Sequence, residues 1–152
     1  STTEKADLAR AAGADEVVGY DRFDAEVRRI TDGEGAAAVY DGVGATTFDR
    51  GLTCLRRRGM MVLFGAASAP VAPVDPQRLN TAGSVFLTRP TLRDHVASAK
   101  EIRWRARELF DAVTSGALSV RIGHRYPLAD ARRAHEDLQG RRTTGKLILL
   151  TH

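Results

Sequence analysis

The sequence predicts an α/β fold organised on a parallel sheet, and three observations carry that prediction. Val39-Tyr40-Asp41-Gly42-Val43-Gly44 and Val62-Leu63-Phe64-Gly65 are short apolar runs that each stop at glycine. One helix-length segment, Ala45 to Arg57, separates them. Helix-like and strand-like segments alternate up to Gly65, the mark of parallel strands joined by right-handed crossovers. Ligands of open parallel sheets bind outside the carboxyl ends of strands, and glycine there lets backbone approach them. Part of any site is therefore expected at these two glycine ends.

Taken in order, Ser1-x-x-Glu4 is a capping-box pattern that opens a helix through Ala6, Leu8 and Ala12, stopped by Gly13. Glu16 to Gly19 reads as a short strand with Val17 and Val18 buried and Tyr20 at its carboxyl end. Asp21 is placed to cap a second helix, in which Phe23, Val27 and Ile30 share one face. Ala36 to Asp41 lacks polar alternation until its end, which suits a strand buried on both faces. Thr46 or Thr47 starts the next helix, with Phe48, Leu52 and Leu55 as its inner stripe. Gly59 to Phe64 is the following strand.

The rhythm then changes. Ala66 to Gly83 is a loop with Pro70, Pro73 and Pro76 and a single helical turn near Gln77 to Asn80. Ser84 to Thr88 reads as a strand without a preceding crossover helix. Thr91-x-x-Asp94 and Ser98-x-x-Glu101 mark two helix starts. The second of these helices presents Ile102, Ala106, Leu109, Phe110 and Val113 and ends at Gly116. Val120 to Tyr126 is extended, Asp130 to Leu138 is a helix stopped by Gly140, and Lys146 to Leu150 is a final strand.

Composition narrows the classes. The 152 residues are 43% hydrophobic and 28% charged, as in a globular domain. The apolar runs are too short to cross a bilayer, and the polar opening Ser1-Thr2-Thr3-Glu4-Lys5 is not that of a signal peptide. Cys54 is the single cysteine, so an internal disulfide is excluded and a cytoplasmic setting is expected. The net charge of +4 allows a polyanion partner. Arg56-Arg57-Arg58 and Arg141-Arg142 are short runs without interleaved aromatics, however, so a nucleic-acid partner is not expected.

No catalytic constellation stands out. His95, His124, His135 and His152 have no metal-ligand spacing, and there is neither a G-x-S-x-G elbow nor a P-loop lysine. Asp41 has two readings, a ligand group or a cap for the following helix and turn. Asp41-Gly42-Val43-Gly44 is not the three-glycine dinucleotide fingerprint, which occurs nowhere in the chain. Pattern alone gives an incomplete, nucleotide-like parallel α/β domain.

A longer set of segments goes further. Lys5 with Ala12-Gly13-Ala14-Asp15-Glu16-Val17, the run Val39 to Gly44, Leu55-Arg56-Arg57-Arg58-Gly59 through Phe64-Gly65, and Leu87-Thr88-Arg89-Pro90 together resemble one family. Tyr126-Pro127-Leu128-Ala129-Asp130-Ala131, His135-Glu136 and Gly145-Lys146 complete the match. The family is the zinc-independent NADPH:quinone oxidoreductase (zeta-crystallin-like) branch of the medium-chain dehydrogenase/reductase superfamily, and the resemblance is to its C-terminal half only. The resemblance implies an α/β fold: an incomplete Rossmann-type parallel sheet with helices on both faces, lacking the first strand and the glycine-rich turn. Residues 1–90 are expected to form the partial dinucleotide-binding domain. Residues 91–152 are the helices and strand that in the family return to a catalytic domain. The chain is thus expected to start in mid-domain, as a fragment. With the central strand absent, Glu16–Gly19 and Ala36–Asp41 should be left without the neighbours that separate them. Rearranged pairing, strand completion by another chain, or a first half beyond the given sequence is expected to account for the ladder beside Ala36–Asp41.

The resemblance also implies the site. Lys5 and Tyr20 resemble the groups that hold the 2′-phosphate of NADPH; taken alone, Lys5 reads as an exposed helix lysine and Tyr20 as a packing residue. Val43 and Gly44 resemble the wall near the cofactor ribose. Phe64, Gly65, Ala66 and Ala67, with Leu87, Thr88 and Arg89, resemble segments facing the nicotinamide, and Arg141 resembles a late cofactor contact. No catalytic side chain and no metal ligand is implied. NADPH would reduce a quinone or enone, in a homodimer paired through the Ser84–Thr88 edge, and the chain alone would be inactive without the missing turn and quinone pocket. Two other readings stand beside this one: a fragment of a polyketide-synthase-type enoyl reductase, and a non-catalytic basic remnant that binds RNA or protein.

Overall fold

The computed structural model describes residues 2–140 and 142–151 and divides the chain into two compact units, one ending at His95 and the other starting at Val96. The first unit holds α1 (Thr3–Ala11), α2 (Phe23–Ile30), β1 (Ala36–Asp41), α3 (Phe48–Thr53), β2 (Leu55–Leu63), α4 (Gln77–Thr81), β3 (Phe86–Thr88) and α5 (Leu92–His95). The second holds α6 (Ala99–Thr114), β4 (Ile122–Pro127), a 3-10 turn at Leu128–Asp130, α7 (Ala131–Gln139) and β5 (Lys146–Leu150).

In the first unit β1, β2 and β3 form a parallel sheet in chain order. Met61 stands opposite both Val39 and Leu87, at the centre of the ladder, and is fully buried. Phe48 and Leu52 of α3 pack on this sheet with Leu55, Leu63 and Val85. The stripe read from the sequence is therefore real, but Leu55 joins it from the first position of β2, because α3 ends at Thr53. Val71, Val74 and Leu79 from the proline-rich segment pack against the same core.

Four local expectations are corrected. Thr2 caps α1, its hydroxyl accepting from the Lys5 amide at 3.3 Å, and Ser1 lies outside the described residues. Asp21 caps nothing; Arg22 takes the N-cap position of α2 without a side-chain bond. Residues 16–19 form no strand, and Val17 and Val18 are only half-buried. A strand needs a neighbour to exchange hydrogen bonds with, and no described strand pairs with this segment. Finally β1 is an edge strand, with β2 on one side only. Ala37, Ala38 and Tyr40 are exposed, so β1 is not covered on both faces. Among the described residues the other side of β1 is unpaired.

In the second unit β4 and β5 pair in parallel, joined through α7. The capping box at Ser98 is formed in full: the Ser98 hydroxyl accepts from the Glu101 amide at 3.2 Å and the Glu101 carboxylate accepts from the Ser98 amide at 3.1 Å. The apolar stripe of α6 is solvent-facing, with Ile102, Leu109 and Phe110 each more than half exposed.

Candidate functional site at the carboxyl ends of the strands

β1 and β2 end side by side, with Asp41 opposite Leu63. The loops that follow are bonded to one another. The amides of Phe64 and Gly65 donate to the Asp41 carbonyl at 2.9 and 3.2 Å, and those of Ala67 and Ser68 donate to Gly42 and Val43 at 3.2 and 2.8 Å. The Ala45 amide returns to the Ala69 carbonyl at 3.0 Å. Val43, Gly44 and Phe64 through Ala67 therefore form one continuous, pre-organised floor.

The glycines are required by this stitching. A Cβ on Gly65 would lie 2.5 Å from the Gly42 carbonyl oxygen, and one on Gly42 would lie 2.9 Å from the Phe64 ring. Gly44 has φ +92 and its Cβ would meet the Ala69 oxygen at 2.5 Å. Close approach of backbone to backbone explains Gly44 and Gly65, whereas at Gly42 the neighbour is the Phe64 side chain.

Asp41 is the buried polar anchor of the floor. Its carboxylate accepts from the amides of Val43 at 2.7 Å and Gly44 at 3.0 Å, and from the Thr47 hydroxyl at 2.9 Å. Of its two readings, the structure selects the turn and helix-start role: a buried carboxylate is tolerated where amides and hydroxyls satisfy it.

A cleft of about 310 Å³ opens beside the free ladder of β1, between Val18–Tyr20 and the stretch Val39–Val43. It takes the place of the strand pairing that residues 16–19 lack. Tyr20 lines it and is 54% exposed. Arg50 of α3 fixes the wall: its guanidinium donates to the carbonyls of Tyr20 at 2.9 Å and Asp21 at 2.6 Å, bonds the Asp24 carboxylate, and stacks 4.8 Å from the Phe23 ring. The Arg50 hydrogen bond holds the Asp24 carboxyl below its usual range.

The site residues expected from the sequence fall into three groups. Tyr20 and Val43 meet in the cleft, and Gly44 with Phe64, Gly65, Ala66 and Ala67 builds the adjoining floor. Leu87, Thr88 and Arg89 leave the sheet at the same end, because Thr88 stands opposite Val62. Lys5 lies on α1 and does not line the cleft. Arg141 lies outside the described residues. Its neighbour Arg142 pairs with Asp137 at 2.8 Å, and the Tyr126 hydroxyl donates to the same carboxylate at 3.0 Å. These bonds, Arg142 first, lower the Asp137 pKa.

Reading the sequence missed Arg50 and Arg28, and it placed Thr47 at the helix start without its bond to Asp41. Arg28 donates to the carbonyls of Gly33, Glu34, Thr53 and Leu55, tying the end of α2 to the start of β2. A lone arginine in a charged amphipathic helix gives no signal of such a role; only Thr47, six residues after Asp41, carried a local one.

The donor set suits part of a phosphorylated cofactor: a phenol beside an open strand end, with a floor whose Val43, Gly44, Phe64, Gly65 and Ala67 amides are already engaged and which offers carbonyl and apolar surface. Among the described residues no group of three or more His, Cys, Asp or Glu is placed to hold a metal ion. Among them, too, no helix is long and apolar enough to cross a membrane.

A family profile described as zinc-binding dehydrogenase matches residues 12–149. The chain is 40% identical to quinone oxidoreductase 1 of Escherichia coli K12, over 98% of this chain and 47% of that protein. It is also 40% identical to a 2-haloacrylate reductase of a Burkholderia species, over 99% of this chain and 46% of that protein. A mycobacterial protein solved in complex with NADPH is 57% identical, with a TM-score of 0.91 over 99% of this chain and 48% of that one. The chain spans about half the length of the curated relatives it matches. With these likenesses, its parallel α/β architecture is that of the matched Rossmann-like half of quinone oxidoreductases.

Proposed function

This chain belongs to the zinc-binding dehydrogenase family, and on that premise we propose that it is the NADPH-binding portion of an NADPH-dependent quinone oxidoreductase. The observation that carries the reading is the stitched floor of Gly42–Gly44 and Phe64–Ala67 beside the Tyr20 cleft, at the sheet end where parallel α/β folds bind ligands. Bound NADPH supplies a hydride to an electron-poor acceptor.

The chain's own residues bind and orient. The Tyr20 phenol in the cleft and the Lys5 ammonium on α1, outside its lining, would hold the 2′-phosphate through charge-assisted contacts that favour NADPH over NADH. Val43 and Gly44 wall the ribose. Phe64–Ala67 and Leu87–Arg89 bound the nicotinamide, and Arg141 adds a late contact. Residues 1–90 act as the dinucleotide-binding part, and residues 91–152 return to a further domain that completes the acceptor pocket. The acceptor is a quinone or an activated alkene; similarity to a 2-haloacrylate reductase favours including the latter. Phe86 on the outer edge of the sheet is 58% exposed, which supports pairing of two copies along Ser84–Thr88 in a cytoplasmic homodimer. The 152-residue chain by itself turns over no quinone.

Thermal unfolding with NADPH and, separately, NADH tests the cofactor reading. A ligand at about 100 times its Kd adds about 2.7 kcal/mol to the folded state. The expected result is a clear rise in Tm with NADPH and a much smaller one with NADH. No rise with either, from a chain that melts cooperatively, overturns cofactor binding by this chain.

A further inference from the structure

We propose that an arginine-lined basin at the amino ends of the strands binds a compact polyphosphate. The basin encloses about 840 Å³ and is walled by Arg28, Glu34, Arg56, Arg57, Arg58 and Gly83. It lies at the opposite end of the sheet from Asp41 and Phe64, where β1, β2 and β3 begin. It is therefore separate from the cofactor reading and does not rest on it.

The backbone builds this site. Ala36 stands opposite Leu55, yet Ala38 stands opposite Met60, so the register slips and Arg56-Arg57-Arg58 bulges out of the ladder. In a regular strand Arg57 would point to the face opposite Arg56 and Arg58. Here all three are exposed and all three line the basin. Arg58 has φ 57, a left-handed conformation that a non-glycine residue keeps only where its surroundings hold it. Its amide is held by the Gly83 carbonyl at 2.9 Å, and Gly83 itself has φ +102.

The charges are poorly matched from within. Arg28 is engaged by backbone carbonyls and contributes charge more than free donors. Arg56 meets Glu34 at 3.8 Å, with both side chains at least half exposed, so this pair is loose. Arg57 and Arg58 have no carboxylate partner among the described residues. Planar guanidinium forks match phosphate oxygens, and several forks in one concavity match several linked phosphates. No aromatic side chain lines the basin, so it offers no platform for stacking bases. That favours a compact anion over single-stranded nucleic acid.

The test is titration calorimetry of the 152-residue chain with sodium tripolyphosphate, inorganic phosphate and ATP at low salt. Tripolyphosphate is expected to bind about tenfold more tightly than inorganic phosphate, and added salt should weaken it. The double substitution Arg57→Gln/Arg58→Gln should weaken it about tenfold. Glu34→Gln should tighten it, because a carboxylate leaves the rim. Arg132→Gln, outside the basin, should leave it unchanged. Tighter binding of ATP than of tripolyphosphate assigns the phosphates to a nucleotide, and equal binding assigns them to free polyphosphate. The proposal is overturned by absence of binding, or by an equal loss on Arg132→Gln, which would mean diffuse surface charge. Tighter binding of a short single-stranded RNA also overturns it. If the double variant does not fold, Glu34→Gln decides, and no gain there overturns the proposal.

Discussion

Replacing Gly65 by alanine separates two roles for the strand-end glycines. The Cβ would lie 2.5 Å from the Gly42 oxygen, 2.9 Å from its Cα and 3.0 Å from its carbonyl carbon. All three are backbone atoms, so no side chain can rotate away. Gly42 must move, and its carbonyl also accepts from Ala67, so the floor shifts with it. Overpacking of this kind costs about 1–3 kcal/mol. For a chain of this size that lowers Tm by about 2–4 °C per kcal/mol. Gly19 is the matched control: nothing lies within 4 Å of its Cβ position and its φ is ordinary. Gly19→Ala should be neutral or stabilise by up to about 1 kcal/mol, through a less flexible unfolded chain. Urea unfolding followed by circular dichroism measures both, and NADPH titration of each variant completes the experiment. Equal stability of the two variants refutes the packing argument. Loss of NADPH response in Gly65→Ala at unchanged stability would assign the glycine to ligand approach instead.

Three other outcomes follow from the same geometry. Asp41→Ala leaves the Val43 and Gly44 amides and the Thr47 hydroxyl without their acceptor, and should cost about 2–4 kcal/mol in urea unfolding, against about 1 kcal/mol for Thr47→Val. Arg50→Ala should lower stability, and in the NADPH titration it should shrink the difference between NADPH and NADH, because the Tyr20 carbonyl loses its donor. Asp137 has a lowered folded-state pKa, caused first by Arg142 and then by Tyr126. A depressed carboxyl contributes stability above its unfolded pKa of about 3.9 and loses it as pH falls through the lower folded value. Tm should therefore fall on acidification below about pH 4, and Arg142→Gln should flatten that acid limb in a pH series of melting curves.

Periodicity in the sequence was enough for the helices and for the parallel character of the sheet. Phe48 and Leu52 share a helix face because helical spacing puts them there, and the Ser98/Glu101 capping box is a purely local bond pattern. The strand-to-glycine ends at Gly42 and Gly65 were legible for the same reason, since a backbone that needs glycine leaves a mark in the chain itself. Tertiary structure decided the rest. Val17 and Val18 have strand composition, but a strand exists only with a ladder partner, and no described strand pairs with them. Asp41 could have faced a ligand or the turn; only the positions of the two amides and Thr47 select the turn. The purpose of the glycines was likewise settled by distance, since the atoms that exclude a Cβ belong to the neighbouring loop. Arg28 and Arg50 act on carbonyls distant in sequence, which no local pattern encodes. Local propensity is written in neighbouring residues, whereas pairing, burial and long-range hydrogen bonds depend on what the fold brings alongside.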